Sequence, residues 1–311
     1  MNPLPTLFAV ALLFASHAHA APTSFPVWPG GEAPGAKNSP VSFTLLERSK
    51  DPAEHDRAVT GIRAPQITVY RPQHANGIAL LVTPGGSYKR VVLDKEGSDL
   101  AKPFNDRGYT LFVMTYRMPE DGHTEGANAP LADAQRALRT LRARAAEWQV
   151  NPRKVGVMGF SAGGHVAASL ETRYDETVYP AQDAIDQQSA RPDFVILGYP
   201  VISMDKTIAH AGSRTALIGA APTPEQIRHY SPELNVTAQT PPTFLLHAVD
   251  DPSVPVENSL VMFNALHAHQ VQTELHLFSQ GQHGFGIRGV KDKPARLWPE
   301  LAMNWIEALA D

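Results

Sequence analysis

The stretch Val155-Gly156-Val157-Met158-Gly159-Phe160-Ser161-Ala162-Gly163-Gly164 decides how the rest of this 311-residue sequence is interpreted. Its first part, through Met158, is a short apolar run typical of a buried strand, and an alanine-rich segment suited to a helix follows it. Between the two stands the pattern Gly-x-Ser-x-Gly, whose glycines let neighbouring chain approach a sharp turn. The pattern predicts that Ser161 stands at a strand-to-helix turn, where the N-terminus of the helix favours negative charge.

A serine hydroxyl is a weak nucleophile unless a base takes its proton and an acid orients that base. Among the thirteen histidines, His283 follows a strand predicted over Thr273–Phe278 and lies in the glycine-flanked loop Gly281–Gly286. Ligands and catalytic groups gather at the carboxyl ends of strands in open α/β sheets. His283 is therefore the predicted base. His165, on the helix after the serine, is more typical of packing, and His247 is predicted to be a core residue of a strand.

Two adjacent carboxylates, Asp250 and Asp251, compete for the role of the acid at the end of the predicted strand Phe244–Val249. Alternation along the strand does not separate them, because the chain is leaving the sheet there. The Asp-x-x-Val-Pro spacing from Asp251 to Pro255 is common in serine hydrolases that carry the Gly-x-Ser-x-Gly pattern, and it favours Asp251. Asp250 is then expected to be a turn or capping residue. The acid's task is to accept the Nδ1 hydrogen of the base.

The tetrahedral intermediate of acyl transfer needs backbone N–H donors directed at its oxygen. Ala162, directly after the serine, is predicted to supply one. The loop Pro84–Tyr88 follows the predicted strand Ile78–Val82, and its two consecutive glycines allow the main chain to reach a substrate. The second donor is predicted to be the N–H of Gly86, with the N–H of Ser87 as a further candidate.

Predicted strands and helices alternate along most of the chain after residue 64, and several strands are apolar on both faces, as a buried parallel sheet requires. The fold class predicted is therefore α/β, the α/β-hydrolase fold, with a mainly parallel central sheet and helices on both faces. Residues 200–242 are expected to form a small cap-like excursion beside the site. The remaining predicted strands are Ile67–Tyr70, Thr110–Tyr116, Lys154–Gly159 and Phe194–Tyr199, and the helices are Leu131–Trp148, Ala162–Thr172, Glu257–His269 and Leu297–Leu309.

Length and composition suit one large domain over residues 65–311, since the chain is long and 43% hydrophobic. Residues 21–64 are rich in proline, glycine and polar residues and predict an irregular N-terminal arm packed on that domain. A net charge of −4 with no basic patch argues against nucleic acid as a partner. The sequence has no cysteine, which excludes a Cys nucleophile, and no His/Asp cluster has ligand spacing, so no metal or other cofactor is expected.

The first twenty residues differ in character from the rest. The apolar run Leu7–Ala15 precedes Ala18-His19-Ala20, a small-x-small pattern that predicts a signal peptide cleaved after Ala20. Export to the periplasm or beyond follows, with no membrane association after cleavage. Because residues 1–6 contain no Lys or Arg, a disordered leader or a retained anchor remains the alternative.

The motifs together resemble the bacterial α/β-hydrolases known as acetyl xylan esterases and related carbohydrate acetylesterases. That family commonly has a third glycine where Ser87 stands, a departure that leaves the oxyanion donor pair open. The resemblance implies deacetylation of plant-wall polysaccharides or their oligomers. It covers nearly everything after the leader and is carried by Pro84–Tyr88, Glu96-Gly97, Ala134–Ala137, Val157–His165, Arg191–Phe194, Tyr199–Ser203, Thr240–Phe244, Asp251–Ser259 and Gly284–Gly286.

We therefore predict an exported serine esterase that removes acetyl groups from hemicellulose-type carbohydrate such as xylan or xyloglucan. The alternatives are a generic short-chain carboxylesterase, a serine peptidase, and a non-catalytic binding protein on the same scaffold. Three further side chains are candidates for the sugar site, although each fits a packing role equally well: Tyr88, Trp28 and His165.

Overall fold

The computed structural model describes residues 21–36 and 39–309, so the predicted signal peptide lies outside the described residues. The strands are β1 Thr23–Pro26, β2 Thr44–Glu47, β3 Arg57–Thr60, β4 Gln66–Tyr70, β5 Ala79–Thr83, β6 Val91–Val92, β7 Thr110–Met114, β8 Val155–Phe160, β9 Val195–Gly198, β10 Thr243–Ala248 and β11 Thr273–Phe278. The helices are α1 Ala101–Asp106, α2 Ala129–Ala143, α3 Ala162–Thr172, α4 Ala211–Ile218, α5 Pro224–His229, α6 Glu257–Ala268 and α7 Trp298–Leu309.

The central sheet has eight strands in the order β1-β4-β7-β5-β8-β9-β10-β11. The pairs from β7 through β11 are all parallel, whereas β1 and β4 are antiparallel additions at one edge. Because neighbouring parallel strands end at the same edge, the loops that follow β5, β8, β10 and β11 meet there. Those four loops carry all the residues proposed above for catalysis.

The sheet is covered on both faces, as its apolar strands require. Every residue of β5, β7 and β8 is buried. Successive residues of β5 enter different apolar clusters: Leu81 packs in the cluster that contains Leu138 of α2, and Leu80 in the one that contains Trp298 of α7. The predicted fold class, a mainly parallel sheet with helices on both faces, is confirmed.

The N-terminal arm is more regular than the sequence predicts. Strand β1 pairs with β4 and so belongs to the central sheet, while β2, β3 and β6 form a small antiparallel sheet of their own. All four residues of β2 are exposed, so the strand lacks the alternation of buried and exposed positions that would identify it. Describing residues 21–64 as irregular was therefore wrong.

The predicted helix Leu131–Trp148 is shorter than expected, because α2 ends at Ala143 and a 3₁₀ turn, Ala145–Trp148, follows. Trp148 packs against Phe112 of β7 with its ring 4.8 Å away, a contact that the turn makes possible. Residues 200–242 contain the short helices α4 and α5, as predicted for a cap-like excursion. Among the described residues, no helix is both long and apolar enough to cross a membrane.

Candidate active site

Ser161 occupies the sharp turn between β8 and α3, with φ 54° and ψ −123°. A positive φ is strained for a residue with a side chain, and such strain is typical of functional turns. The turn also packs closely against the loop after β5. A Cβ on Gly163 would lie 2.0 Å from the carbonyl oxygen of Thr83 and 2.4 Å from that of Pro84, so only glycine fits there.

The structure brings Ser161, His283 and Asp251 into one line of contacts. Ser161 Oγ lies 2.8 Å from Nε2 of His283, and Nδ1 of His283 lies 2.7 Å from Oδ2 of Asp251. Because an ionised carboxylate only accepts, the neutral imidazole carries its proton on Nδ1 and leaves Nε2 free to accept the serine proton. This is the arrangement that a serine nucleophile requires.

The carboxylate of Asp251 is fully buried, whereas 22% of the His283 side chain is exposed. Burial raises the pKa of Asp251, but hydrogen bonds from His247 and His283 and from a backbone N–H outweigh that effect and hold the pKa well below its usual value. The acid therefore stays negative and able to stabilise an imidazolium at its side.

Asp250, the rival of Asp251, has a different set of contacts. Its Oδ1 accepts hydrogen bonds from the backbone N–H groups of Gly281 and Gln282, both at 2.8 Å. These two residues directly precede His283, so Asp250 holds the loop and Asp251 holds the ring. The structure thus places Asp250 in the turn-capping position that the sequence allowed for it.

The loop after β5 contains consecutive residues with positive φ angles. Gly86 has φ 144°, and Ser87 has φ 60°, a region that favours glycine. The serine therefore adopts the conformation that the family's usual glycine would adopt more easily. Within the described residues, neither backbone N–H of this pair donates a hydrogen bond. Ala162 is the first residue of α3, where helix N–H groups have no partner within the helix.

The three candidates for the sugar site are buried. Trp28 is 1% exposed and donates from Nε1 to Oδ1 of Asp133 at 2.7 Å, so its assignment to a substrate surface was wrong. Tyr88 and His165 are 2% and 1% exposed, which leaves them no surface for a sugar. The cause is packing between segments distant in sequence: Trp28 also contacts Tyr179 with ring centroids 4.8 Å apart.

Tyr88 and His165 instead connect three parts of the site. The Tyr88 hydroxyl lies 2.7 Å from Nδ1 of His165, and Nε2 of His165 lies 2.7 Å from the carbonyl oxygen of Tyr230. Since a carbonyl only accepts, His165 donates from Nε2 and accepts from Tyr88 at Nδ1. Burial lowers the pKa of His165 to about 4, so the ring stays neutral and links the loop Pro84–Tyr88, α3 and the cap-like excursion.

Two buried polar residues at the site were missed by the sequence analysis. Glu96, 4% exposed, accepts the N–H of Gly85 through Oε2 at 2.8 Å and thereby restrains the loop Pro84–Tyr88. Asn258, on α6, accepts from the N–H groups of Ile202 and Ser203 and donates to the carbonyl of Ile208. Both stand in the motifs that carry the family resemblance, which was the one signal available for them.

The fold and this geometry define an α/β-hydrolase with a candidate nucleophilic serine at the carboxyl edge of its sheet. The chain belongs to the BD-FAE family, whose model matches residues 68–266. It is 32% identical to the acetylxylan esterase of Xylanibacter ruminicola, over 78% of this chain and 48% of that protein. It is 37% identical to endo-1,4-beta-xylanase B of Butyrivibrio fibrisolvens, over 67% and 32%.

A solved structure extends the likeness over nearly the whole chain. The acetyl ester-xyloside bifunctional hydrolase from Caldicellulosiruptor lactoaceticus is 34% identical, with a TM-score of 0.76, covering 93% of this chain and 96% of that one. The predicted family, acetyl xylan esterase-like α/β-hydrolases, and the predicted class, carboxylic ester hydrolases, are confirmed. The chain spans only 32% and 48% of the length of these two curated relatives.

Proposed function

We propose that this chain hydrolyses acetyl esters of xylan-type carbohydrate through an acetyl-enzyme on Ser161. One observation carries the proposal: the unbroken contacts from Ser161 Oγ through His283 to Asp251 at the carboxyl edge of the sheet. The relatives direct the choice of substrate, since they include an acetylxylan esterase and an acetyl ester-xyloside hydrolase.

In the first half of the reaction, Ser161 Oγ attacks the acetyl carbonyl carbon while Nε2 of His283 takes the hydroxyl proton. Asp251 stabilises the imidazolium that forms, and the N–H groups of Ala162 and Gly86 donate to the oxyanion. The intermediate collapses, the bond to the sugar oxygen breaks, and His283 gives its proton to that oxygen. Water then repeats the sequence on the acetyl-serine, releasing acetate and restoring the Ser161 hydroxyl.

The alternative donor, the N–H of Ser87, is supported by its position one residue along the same loop and by its lack of a partner within the described residues. Its φ of 60° turns the backbone in the left-handed sense between Gly86 and Tyr88. The hydrogen bond from Tyr88 to His165 fixes the end of that turn. A fixed donor stabilises the transition state without a cost of reorganisation at the moment of reaction.

The test is acetate release from acetylated xylan, and p-nitrophenol release from its acetate ester, by the wild type and Ser161→Ala. We expect the variant to lose nearly all activity, while Ser189→Ala, on an exposed loop, serves as the control and keeps it. Equal rates for Ser161→Ala and the wild type would reject the proposal. Labelling by a fluorophosphonate separates an enzyme from a non-catalytic binding protein, because only an activated serine reacts.

Comparing acetyl, butyryl and octanoyl esters then tests the acyl group. A marked preference for acetyl, with acetate released from xylan or xyloglucan, supports the carbohydrate acetylesterase. Similar kcat/KM on acetyl and butyryl esters and no release from acetylated glycans would instead indicate a generic short-chain carboxylesterase. Cleavage of peptide substrates at comparable rates would indicate a peptidase.

We also propose that residues 1–20 are a signal peptide, with the catalytic domain over residues 65–311 and the arm, residues 21–64, attached to it. The pairing of β1 with β4 supports the attachment, since it joins the arm to the central sheet. Mass spectrometry of the protein recovered from the periplasm of a Gram-negative host is expected to give a chain that begins at Ala21. A full-length chain retained in the cytoplasm would contradict export.

A further inference from the structure

The buried histidine of β10, His247, has three polar contacts. Its Nδ1 lies 2.8 Å from the hydroxyl oxygen of Ser259, and its Nε2 lies 3.0 Å from the carbonyl oxygen of Val254. The same Nε2 lies 3.3 Å from Oδ2 of Asp251. Because the carbonyl only accepts, the proton of the neutral ring sits on Nε2, and the hydroxyl of Ser259 donates to Nδ1.

This places an N–H dipole beside the oxygen that also contacts His283. Oδ2 of Asp251 faces two ring nitrogens, Nδ1 of His283 at 2.7 Å and Nε2 of His247 at 3.3 Å. The other oxygen, Oδ1, accepts the backbone N–H groups of Ser253 and Val254 at 2.8 and 2.9 Å. The carboxylate is thus fixed at both oxygens, and only one of its partners is the proposed base.

We propose that His247 is a positioning residue for the ester hydrolysis, acting through Asp251. Its Nε2–H donates to the carbonyl oxygen of Val254, and the same N–H dipole, 3.3 Å from Oδ2, attracts that oxygen and withdraws part of the negative charge that Oδ2 presents to His283. A packing role predicts something different, because a histidine that only fills space between β10 and α6 has no effect on how the acid supports the base. This inference rests on the proposed function, since it assigns a role within the same catalytic group.

The charges around Asp251 decide what a change at His247 does. His283 and His247 contact its carboxylate, and its charge also influences the ionisation of His210, in the cap-like excursion, and of the Tyr199 hydroxyl. Replacing His247 by an apolar residue removes one donor and leaves the others. Asp251 then keeps more of its negative charge for the imidazolium of His283 but loses a restraint on its orientation.

The experiment compares His247→Leu, His247→Gln and wild type on p-nitrophenyl acetate across pH. For His247→Leu we expect kcat to fall roughly 10- to 100-fold with little change in KM, as misplacement of a catalytic group does. The acidic limb of the kcat/KM profile should move to higher pH. His247→Gln retains an N–H near the position of Nε2 and should recover most of the rate and return the limb toward the wild-type position.

The control is His276→Gln, which alters a histidine on the neighbouring strand, paired with Leu246 in the β10–β11 register. It should leave kcat and the pH profile unchanged. A folded His247→Leu that reacts with a fluorophosphonate and shows kcat within twofold of wild type, with the limb unmoved, would overturn the inference. Loss of activity in Ser161→Ala is measured alongside, so a failure of the proposed function is recognised separately.

If His247→Leu does not fold, as circular dichroism would show, Ser259→Ala replaces it. That variant keeps His247 but removes the donor to Nδ1, so the ring loses the restraint that fixes its orientation. We expect a smaller shift of the acidic limb in the same direction. A wild-type limb and rate in Ser259→Ala would reject the positioning role as well.

Discussion

Glu171 offers the sharpest test of buried charge in this fold, and we predict that Glu171→Gln stabilises the protein increasingly as pH rises. The residue lies near the end of α3 and is completely buried. Its Oε2 lies 2.9 Å from the hydroxyl oxygen of Thr243, and within the described residues its Oε1 has no hydrogen-bond partner. Burial raises the pKa of this carboxyl from 4.5 to about 8, so it is protonated in the folded chain at neutral pH.

The magnitude follows from that pKa shift. A group whose pKa is raised by folding adds stability that is complete at pH below 4.5 and is lost as pH rises towards 8. Between those limits the free energy of unfolding falls by about 1.4 kcal/mol per pH unit, a total on the order of 5 kcal/mol. Glutamine keeps the uncharged shape and can donate its amide hydrogen to Thr243. The gain from the variant should therefore be small at pH 5, about 3 kcal/mol at pH 7, and largest near pH 9.

Urea unfolding followed by tryptophan fluorescence at pH 5, 7 and 9 measures this directly, because each curve yields a free energy of unfolding. The matched control is Glu300→Gln, an exposed position on α7, which should shift that free energy by less than about 0.5 kcal/mol at every pH. A stability difference between Glu171→Gln and wild type that does not grow with pH would refute the reasoning. Ester hydrolysis by Glu171→Gln and by the wild type shows whether α3 still holds Ser161 in its active position.

Three further outcomes follow from the site. Asp251→Asn should lower kcat by up to about 10⁴-fold, because an amide cannot stabilise the imidazolium. Asp250→Asn keeps an oxygen acceptor for the loop N–H groups and should cost less than tenfold; steady-state kinetics that gave equal losses would contradict this division. Gly163→Ala would force a Cβ to within 2.0 Å of the Thr83 carbonyl oxygen, so we expect little soluble protein or a large fall in Tm. A wild-type Tm by circular dichroism would contradict this, because it would show that the loop after β5 moves to accept the methyl group without loss of stability.

The serine turn and the central strands were predictable because their signals are local. An apolar run predicts a buried strand wherever it pairs, and the glycines at 159 and 163 mark the turn around Ser161 without any knowledge of what lies beside them. The predicted and observed bounds of β8 and β10 accordingly differ by only one residue at each end. Choosing Asp251 over Asp250 required the Asp-x-x-Val-Pro spacing. Alternation along the strand could not decide between them, because the turn sets the direction of side chains beyond the end of a strand.

The contacts that the sequence did not predict join segments that meet only in the folded chain. Trp28 and Asp133 are 105 residues apart, and nothing in either neighbourhood indicates that they form a hydrogen bond. The contact of His247 with Asp251 requires the turn after β10 to fold back on its own strand. Glu96 restrains the loop Pro84–Tyr88 only because the turn that carries it lies within hydrogen-bond distance of Gly85 in the folded chain. Sequence patterns identify residue types for such roles, but pairing them requires the tertiary structure.

The turn after β10 carries two adjacent aspartates with different roles, so it tolerates a substitution better than a change in its number of residues. Asp250 acts on the main chain of the loop that carries His283, and Asp251 acts on its ring, so the two functions depend on consecutive positions. A substitution removes one of them, whereas a single inserted or deleted residue displaces both carboxylates together. Engineering that aims to reshape the substrate surface should therefore keep this turn at its present length and place any added residues within the excursion at 200–242.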